Sequence, residues 1–396
     1  MTTQRYRERG VSPQKEDVHA ALGKSDRGLF PSAFCKIVPD TLTGSEDHCL
    51  VMHADGAGTK SSLAYLAYRE SGDPSVFRGV VQDAVVMNLD DMLCVGALGP
   101  YMVSNTVGRN ARRVPGEVLR EIIGGFEEQA ALFAQWGIHL ELTGGETADV
   151  GDLVRTVILD STFTARLERA RVVANDAVQP GDIIIGLGSQ GQTTYETSYN
   201  SGMGSNGLTS ARHDLLHKDY ASRYPESCDP EMPEELQYSG PFHLEDPLPG
   251  AEHISVGKAL LSPTRTYAPV LKALLEEAPD KVRALVHCTG GGQTKCLRAG
   301  HGIRYVKDHL FDPPPIFQTI REVSGADWNE LYQVFNMGHR MEIIGDPALL
   351  PLVEAIGAQL QLEVRQVGFC ERHTVDNQNE VVLHTPGGVE SYQGKE

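Results

Sequence analysis

The chain has no C-x-x-C pair, no run of lysine and arginine, and no apolar core in its opening residues. Nor does any uncharged apolar stretch approach the ~18 residues that a membrane-spanning helix needs. Each absence excludes something. Seven cysteines is an odd count, and the closest two, Cys288 and Cys296, are eight apart. A zinc ribbon or a dithiol centre is thereby excluded, and buried thiols in a reducing cytoplasm are expected. Positive charge is scarce, 35 Lys+Arg against 53 Asp+Glu for a net −18, which argues against a nucleic-acid partner. An anionic ligand would have to be held by backbone amides, a few local cations or a metal. Without a signal-like or membrane segment, a soluble cytoplasmic protein is expected.

What is present fits a globular chain. At ~150 residues per domain its 396 residues suggest two or three units, and 40% hydrophobic with 22% charged residues is ordinary. The 41 glycines exceed the usual ~7% and fall in short loops behind apolar runs. Cys49–His53 reads as a buried strand, 80–97 as a buried helix, and Leu119, Ile123, Phe126, Ala130 and Phe133 as the core stripe of another. Ile138–Leu142 alternates as a half-buried strand, and Leu153–Ala165 reads as the next. After the polar stretch Arg171–Pro180, Gly181–Ile185 restarts a strand, with helices near 265–277 and 347–362. Strand–helix alternation in both halves predicts an α/β (α+β) fold in two domains, 1–174 and 175–396. Residues 219–253, with six prolines and nine acids against Arg223 alone, read as an exposed, solvated insertion.

Four places join a strand or helix to a glycine loop or a carboxylate. Asp55-Gly-Ala-Gly-Thr-Lys60 puts a carboxylate at a strand end, glycines that can show amides to a phosphate, and a cation five residues on. Its spacing is not that of a Walker A loop, and a plain turn before a helix is the alternative. Asp83, Met87, Asp90 and Asp91 share one face of the 80–97 helix. Three carboxylates on an apolar helix are costly to bury unless a cation meets them, which points to a metal or to a solvent-facing edge. Thr143-Gly-Gly-Glu-Thr147 offers Glu146 between hydroxyls, or simply a tight turn. His287-Cys-Thr-Gly-Gly-Gly292 would suit a phosphate, with His287 either a catalyst or a core histidine. Gly186-Leu-Gly-Ser-Gln-Gly191 fits G-x-G-x-x-G, but the polar, Tyr/Thr-rich 192–201 stretch is no amphipathic helix, so no dinucleotide site is expected.

Taken in order, these segments resemble the aminoimidazole ribonucleotide synthetase (phosphoribosylformylglycinamidine cyclo-ligase) family. Tyr6–Val11 resembles the family's opening motif, Asp55–Lys60 its D-G-V-G-T-K, and Asp83–Ala97 its D-L-V-A-M-x-V-N-D-L-x-x-x-G-A helix, with Asp90 where Asn is usual. Thr143–Thr147 contains G-G-E-T, Leu260–Tyr267 resembles L-L-x-P-T-R-I-Y, His287–Gly292 resembles H-x-T-G-G-G, and Phe335–Gly338 resembles F-N-x-G. The resemblance implies an N-terminal sheet that forms a barrel across a homodimer, a C-terminal α/β domain, and ATP in the cleft. It implies ATP-dependent closure of formylglycinamidine ribonucleotide, a phosphoribosyl amidine, to aminoimidazole ribonucleotide with ADP and phosphate released. Asp55, Asp91 and Glu146 would hold Mg²⁺; Asp55, Gly56, Gly58, Thr59, Lys60, Asp83, Gly144, Gly145, Glu146 and Thr147 would bind ATP. Ser205, Asn206, Gly207, Thr264, Arg265, His287, Thr289, Gly290, Gly291, Gly292 and Asn336 would bind substrate, the 290–292 amides taking its phosphate. Asp91, Lys60 and His339 would be catalytic. Relatives of this architecture with other phosphate acceptors, or a non-catalytic nucleotide binder, are the alternatives.

Departures from the pattern bear on the substrate. The family's G-P-H-S-N-G loop returns as Gly202-Met-Gly-Ser-Asn-Gly207, with Gly204 where histidine is expected. Its F-N-x-G-V-G-M stretch reads Phe335-Asn-Met-Gly-His-Arg-Met341. Ring closure must remove a proton, and glycine cannot carry one, so His339 is the expected replacement, or else a surface histidine beside Arg340. Tyr195 and Tyr199, beside Glu196, are expected to touch substrate or nucleotide.

Overall fold

The computed structural model describes Arg9, Ala21, residues 26–375 and residues 377–394. Of the opening motif, all but Arg9 lies outside the described residues; Arg9 pairs with Asp214 at 2.8 Å. The first half builds a five-stranded sheet from β1 (Ile37–Pro39), β2 (His48–Gly56), β3 (Tyr101–Arg109), β4 (Leu140–Asp149) and β5 (Val157–Glu168), in the order β1-β2-β5-β3-β4. β5 alternates at period two, with Val157, Leu159, Phe163, Ala165 and Leu167 buried on one face. Against that face pack α1 (Lys60–Ser71) and α2 (Phe77–Leu93), with α3 (Gly116–Ala134) beside α2 and over β4. Helix α2 is buried almost all round because the sheet, α3 and the later chain enclose it.

The second half builds a seven-stranded sheet in the order β14-β13-β10-β12-β6-β11-β9. Its strands are β6 (Ile183–Gly188), β9 (Val282–His287), β10 (Ile303–Lys307), β11 (His339–Gly345), β12 (Val364–Arg372), β13 (Glu380–Thr385) and β14 (Gly388–Gln393); β7 (Pro247–Leu248) and β8 (Ala251–Ser255) form a separate hairpin. The helices here are α4 (Leu208–Leu215), α5 (Asp219–Arg223), α6 (Val256–Leu260), α7 (Ala268–Glu277), α8 (Pro315–Ser324), α9 (Trp328–Val334) and α10 (Leu349–Leu360). One apolar cluster runs from α2 and β5 through Tyr267 and Leu271 to Leu285 and Ile343, so the two sheets share core.

Several expectations change. Ile123 is 54% exposed, and Val118 and Ile122 take its place in the core. β5 begins at Val157, and Leu153 sits exposed in the preceding turn. Residues 219–253 are not a solvated loop: Tyr220, Tyr224, Cys228, Leu236, Tyr238, Leu244 and Leu248 are buried in the second apolar cluster. One of the acids, Glu226, is met by Arg69 and Arg113, each at 3.2 Å, while Asp229, Glu231, Glu234, Glu235, Glu245 and Glu252 stay exposed. The 192–201 stretch forms no helix, as expected; Gly191 and Asn200 close it with a β-bridge. Gly186 is there for packing: a Cβ would come within 3.0 Å of the His339 ring and 2.8 Å of Val367. Among the described residues, no helix is long and apolar enough to cross a membrane, and all seven cysteines are free and buried.

Candidate active site

The inner face of α2 carries three buried carboxylates, and each is met by the later chain. Asp83 accepts from the Lys60 ammonium at 2.7 Å and the Thr264 amide at 2.8 Å, while its Oδ2 has no partner. Lys60 also donates to the Ser262 carbonyl at 2.7 Å, and burial lowers its pKa against the pull of Asp83. Asp90 accepts from the Thr266 hydroxyl at 2.7 Å and the Tyr267 amide at 2.9 Å, and burial pushes it up to about 7. Asp91 bonds His287 Nδ1 at 2.6 Å and lies 3.5 Å from His53 Nε2. Burial pushes the Asp91 carboxyl up, but the His287 bond and nearby cations outweigh it and hold it below its ordinary value. The solvent-edge alternative for this face is therefore wrong.

Asp91, His287 and Arg340 form a chain. Arg340 Nε donates to His287 Nε2 at 3.1 Å, which requires that nitrogen to be unprotonated and leaves the proton on Nδ1, facing Asp91. Burial holds the imidazole neutral, its pKa down to about 4. His287 is thus a fixed link between α2 and β11, not a proton carrier near neutrality.

Two glycine loops flank this chain. In one, the side-chain amide of Asn206 approaches to 4.0 Å from where a Cβ on Gly290 would stand, so the 204–207 and 289–292 loops face each other. Ser205 Oγ lies 3.4 Å from Thr264 Oγ1, and Thr59 Oγ1 2.6 Å from Thr209 Oγ1 at the start of α4. Gly58 and Gly291 have left-handed φ, and nothing lies within 4 Å of a Cβ on Gly58. The structure therefore brings together Thr59, Lys60, Asp83, Asp91, Ser205, Asn206, Gly207, Thr264, His287, Thr289 and Gly290–Gly292, which are spread over some 230 positions of the sequence.

Other expected site residues stand elsewhere. Thr143–Thr147 is not a turn: β4 runs through it to Asp149, with a register irregularity opposite Val103 and Asn105. Glu146 pairs with Thr106, Thr106 with Asp160, and Asp160 with Gly56, whereas Asp55 pairs with Ser161 one position away. Glu146 thus faces the outer side of the sheet and Asp55 the inner side, so one chain does not bring Glu146 to Asp55 and Asp91. Gly144, Gly145 and Thr147 lie with it on the edge strand. Arg265 is committed to structure: its guanidinium bonds Glu196 at 2.6 and 3.0 Å and the carbonyls of Gly188, Gln190 and Gly191. Asn336 likewise accepts from Ser189 and donates to Gly202. The Tyr195 hydroxyl is spent on the Thr266 carbonyl at 2.8 Å, and Tyr199 packs edge-on against His253.

His339 is neither a surface residue nor part of this cleft. It is 1% exposed, its Nε2 bonds Glu342 at 2.9 Å, and burial lowers its pKa. Cys288, His339 and Glu342 offer metal-ligand atoms within 4.8 Å of one another, yet the Lys307 ammonium already bonds Glu342 there. Sequence reasoning missed Lys295, whose ammonium bonds Thr289 Oγ1 beside Asp91 and stacks on Phe34; a lysine just behind three glycines was the available signal. It also missed Arg340 and His53.

For a metal, the inner face offers hard oxygen donors. Asp55 and Asp91 both lie near enough to Cys35 to raise its thiol pKa, which burial raises most. Two carboxylates shared with phosphate oxygens suit Mg²⁺.

Residues 35–166 match the family described as AIR synthase related protein, N-terminal domain. A phosphoribosylformylglycinamidine cyclo-ligase of Methanothermobacter thermautotrophicus is 32% identical over 84% of this chain and 85% of its own length. One of Methanocaldococcus jannaschii is 27% identical over 85% of this chain and 82% of its own length. Among solved structures, AaThiL complexed with AMPPCP and TMP aligns with a TM-score of 0.51 at 12% identity, covering 95% of both chains. Phosphoribosylformylglycinamidine synthase II of Thermotoga maritima aligns with a TM-score of 0.51 at 10% identity over 98% of this chain, which spans 50% of that protein. At such identities the structures speak for the fold alone.

Proposed function

Because the chain belongs to the phosphoribosylformylglycinamidine cyclo-ligase family, we propose that it is an ATP-dependent ligase closing formylglycinamidine ribonucleotide to aminoimidazole ribonucleotide in purine biosynthesis. ATP phosphorylates the amide oxygen, a neighbouring nitrogen attacks the activated carbon, and phosphate leaves as the ring forms. An amide oxygen is a poor leaving group until phosphorylated, so the chemistry asks for positioning and charge neutralisation more than for a nucleophile. The observation that carries this reading is the convergence of Lys60, Asp83 and Asp91 with the 204–207 and 289–292 loops in one place. Lys295 would meet phosphate oxygens and the 290–292 amides the phosphate of the ribonucleotide, while Lys60, expected to meet phosphate as well, is buried against Asp83 and the Ser262 carbonyl. Asp55 and Asp91 would hold Mg²⁺, which neutralises charge on the transferred group.

The division at 174/175 into a nucleotide-binding and a substrate-binding domain belongs to the same reading, as does a cytoplasmic homodimer. The outer face of the first sheet supports the dimer: Met52 and Met102 both pair with Thr164 and leave an exposed apolar pair there, with Ile158 exposed further along the same face beyond Thr162 and Asp160. A second copy covering it would also cover Glu146. The test is substrate-dependent ADP release, with formylglycinamidine ribonucleotide run beside thiamine monophosphate and selenide. Turnover only with one of the latter two would replace this reading by another phosphoryl transfer on the same fold.

A further inference from the structure

Arg340 is a buried cation with no carboxylate in contact, although Asp83, Asp90 and Asp91 act on it from a distance. It is 2% exposed, yet among the described residues no carboxylate lies within 4.0 Å of it. Most other buried cations differ: Lys60 has Asp83, Lys307 has Glu342, and Arg265 has Glu196, while Arg212 bonds neutral acceptors, the Ser62 and Tyr238 hydroxyls and the Ser227 carbonyl. The hydrogen bonds Arg340 does make run to soft or neutral acceptors, Nε to His287 and Nη2 to the Met87 sulfur at 3.2 Å. Burying a guanidinium on such terms is costly unless an anion meets it.

The direction of Nη1 shows where that anion would stand. A Cβ at Gly204 would fall 1.5 Å from Arg340 Nη1, so the fork reaches into the space that a side chain at 204 would fill. Gly204 has φ of 65° and Gly207 of 75°, and the loop they shape leads straight into α4. Beside it stand Ser205 and Thr264, and Asn206 Oδ1 is buried without a partner. The two departures from the family pattern at 204 and 340 are therefore one feature. A small residue at 204 admits a large cation from 340.

We propose that Arg340, admitted by Gly204, is a specificity-determining cation that binds an anionic oxygen, phosphoryl or carboxylate, at the 204–207 loop. It takes the position of the histidine expected there and supplies a permanent charge in place of a titrating one. The inference deepens the cyclo-ligase reading by naming how this chain holds its phosphorylated intermediate, but its anion-binding half stands without that reading.

The test separates the two. Inorganic phosphate binding to the full chain, without nucleotide, is measured by equilibrium dialysis and by thermal shift. Arg340→Met should weaken it by roughly 10–100-fold, the loss expected for a charge-assisted fork, with Arg340→Lys in between. kcat/KM for ADP release should fall in parallel. Gly204→Ala alone should lower Tm, and Gly204→Ala/Arg340→Gly should lose less than the sum of the single changes. Phosphate binding by Arg340→Met equal to that of the unchanged chain, or strict additivity of the 204 and 340 changes, overturns the inference. If the unchanged chain shows no amidine-dependent ADP release but its phosphate binding still depends on Arg340, the cyclo-ligase reading falls and this one stands.

Discussion

His339 and Arg340 are neighbours on β11, and their side chains reach opposite sides of the sheet. On the His339 side, Glu342, Lys307 and Gln293 close a buried polar cluster walled by Phe311 and Cys288. Here cation and anion face each other and glycine serves only to pack, as Gly186 does under the His339 ring. On the Arg340 side the same elements of chemistry stand next to glycine loops. The charges there are split among Asp83, Asp91, Lys60, Lys295 and Arg340, Asp83 Oδ2 is orphaned, and space is left over. Burial and ionisable side chains are thus common to both. So is an orphaned carboxylate oxygen, Glu342 Oε2 on one side and Asp83 Oδ2 on the other. What separates a candidate active site from a structural ion pair is a cation with no carboxylate in contact and the missing side chains around it.

The comparison breaks first at Asp91. Asp91→Asn should cut ADP release by about two orders of magnitude or more and raise the Mg²⁺ requirement, because it removes a ligand charge and leaves His287 only a neutral acceptor. Steady-state rates across a Mg²⁺ titration would show this; unchanged rate and Mg²⁺ dependence would sink the assignment. On the sealed side the effect moves from rate to stability. Lys307→Met leaves Glu342 buried and uncompensated, and should cost about 3–5 kcal/mol in urea unfolding. The fraction still folded should turn over nearly as fast as the unchanged chain. A rate loss without a stability loss would mean that the Lys307 cluster belongs to the reaction after all.

Much of this was legible in the sequence, and the failures share a cause. The glycine loops at 55–60 and 289–292, the strand at 49–53 and the apolar α2 with its three aspartates could be read from local pattern. So could the conclusion that something cationic must meet those aspartates, since that follows from the cost of burying charge. Which cation meets which carboxylate could not, because Lys60, His287 and Arg340 arrive from far along the chain. The same blindness misjudged 219–253: most of its acids are exposed, but the Tyr and Leu side chains between them find their core partners far along the chain, and Glu226 finds Arg69 and Arg113. Thr143–Thr147 failed for a local reason. Two glycines in succession read as a turn, but within a strand they also mark a bulge, and the β3–β4 pairing is irregular there.

The smallest effect expected is on pH dependence, and it probes the sealed side alone. His339 is held neutral by burial, its pKa lowered below the ordinary value in spite of Glu342 beside it. Once the chain unfolds, the imidazole returns to a pKa near ~6.5. Below that pH the unfolded state binds a proton that the folded state refuses, so stability is retained above ~6.5 and falls as the medium is acidified, by up to about 1.4 kcal/mol per pH unit for this one group. Gln at 339 can still donate to Glu342 through its amide nitrogen but cannot titrate. His339→Gln should therefore change stability little at pH 7.5, and should flatten the decline between pH 6.5 and 5.5 by at most one proton's worth. Urea midpoints at the three pH values measure it. The pH profile of ADP release should stay that of the unchanged chain, since His339 lies behind the sheet from the cleft. A shifted rate profile would return His339 to the role its sequence position suggests, and would place the reacting proton on the side of β11 that the structure closes.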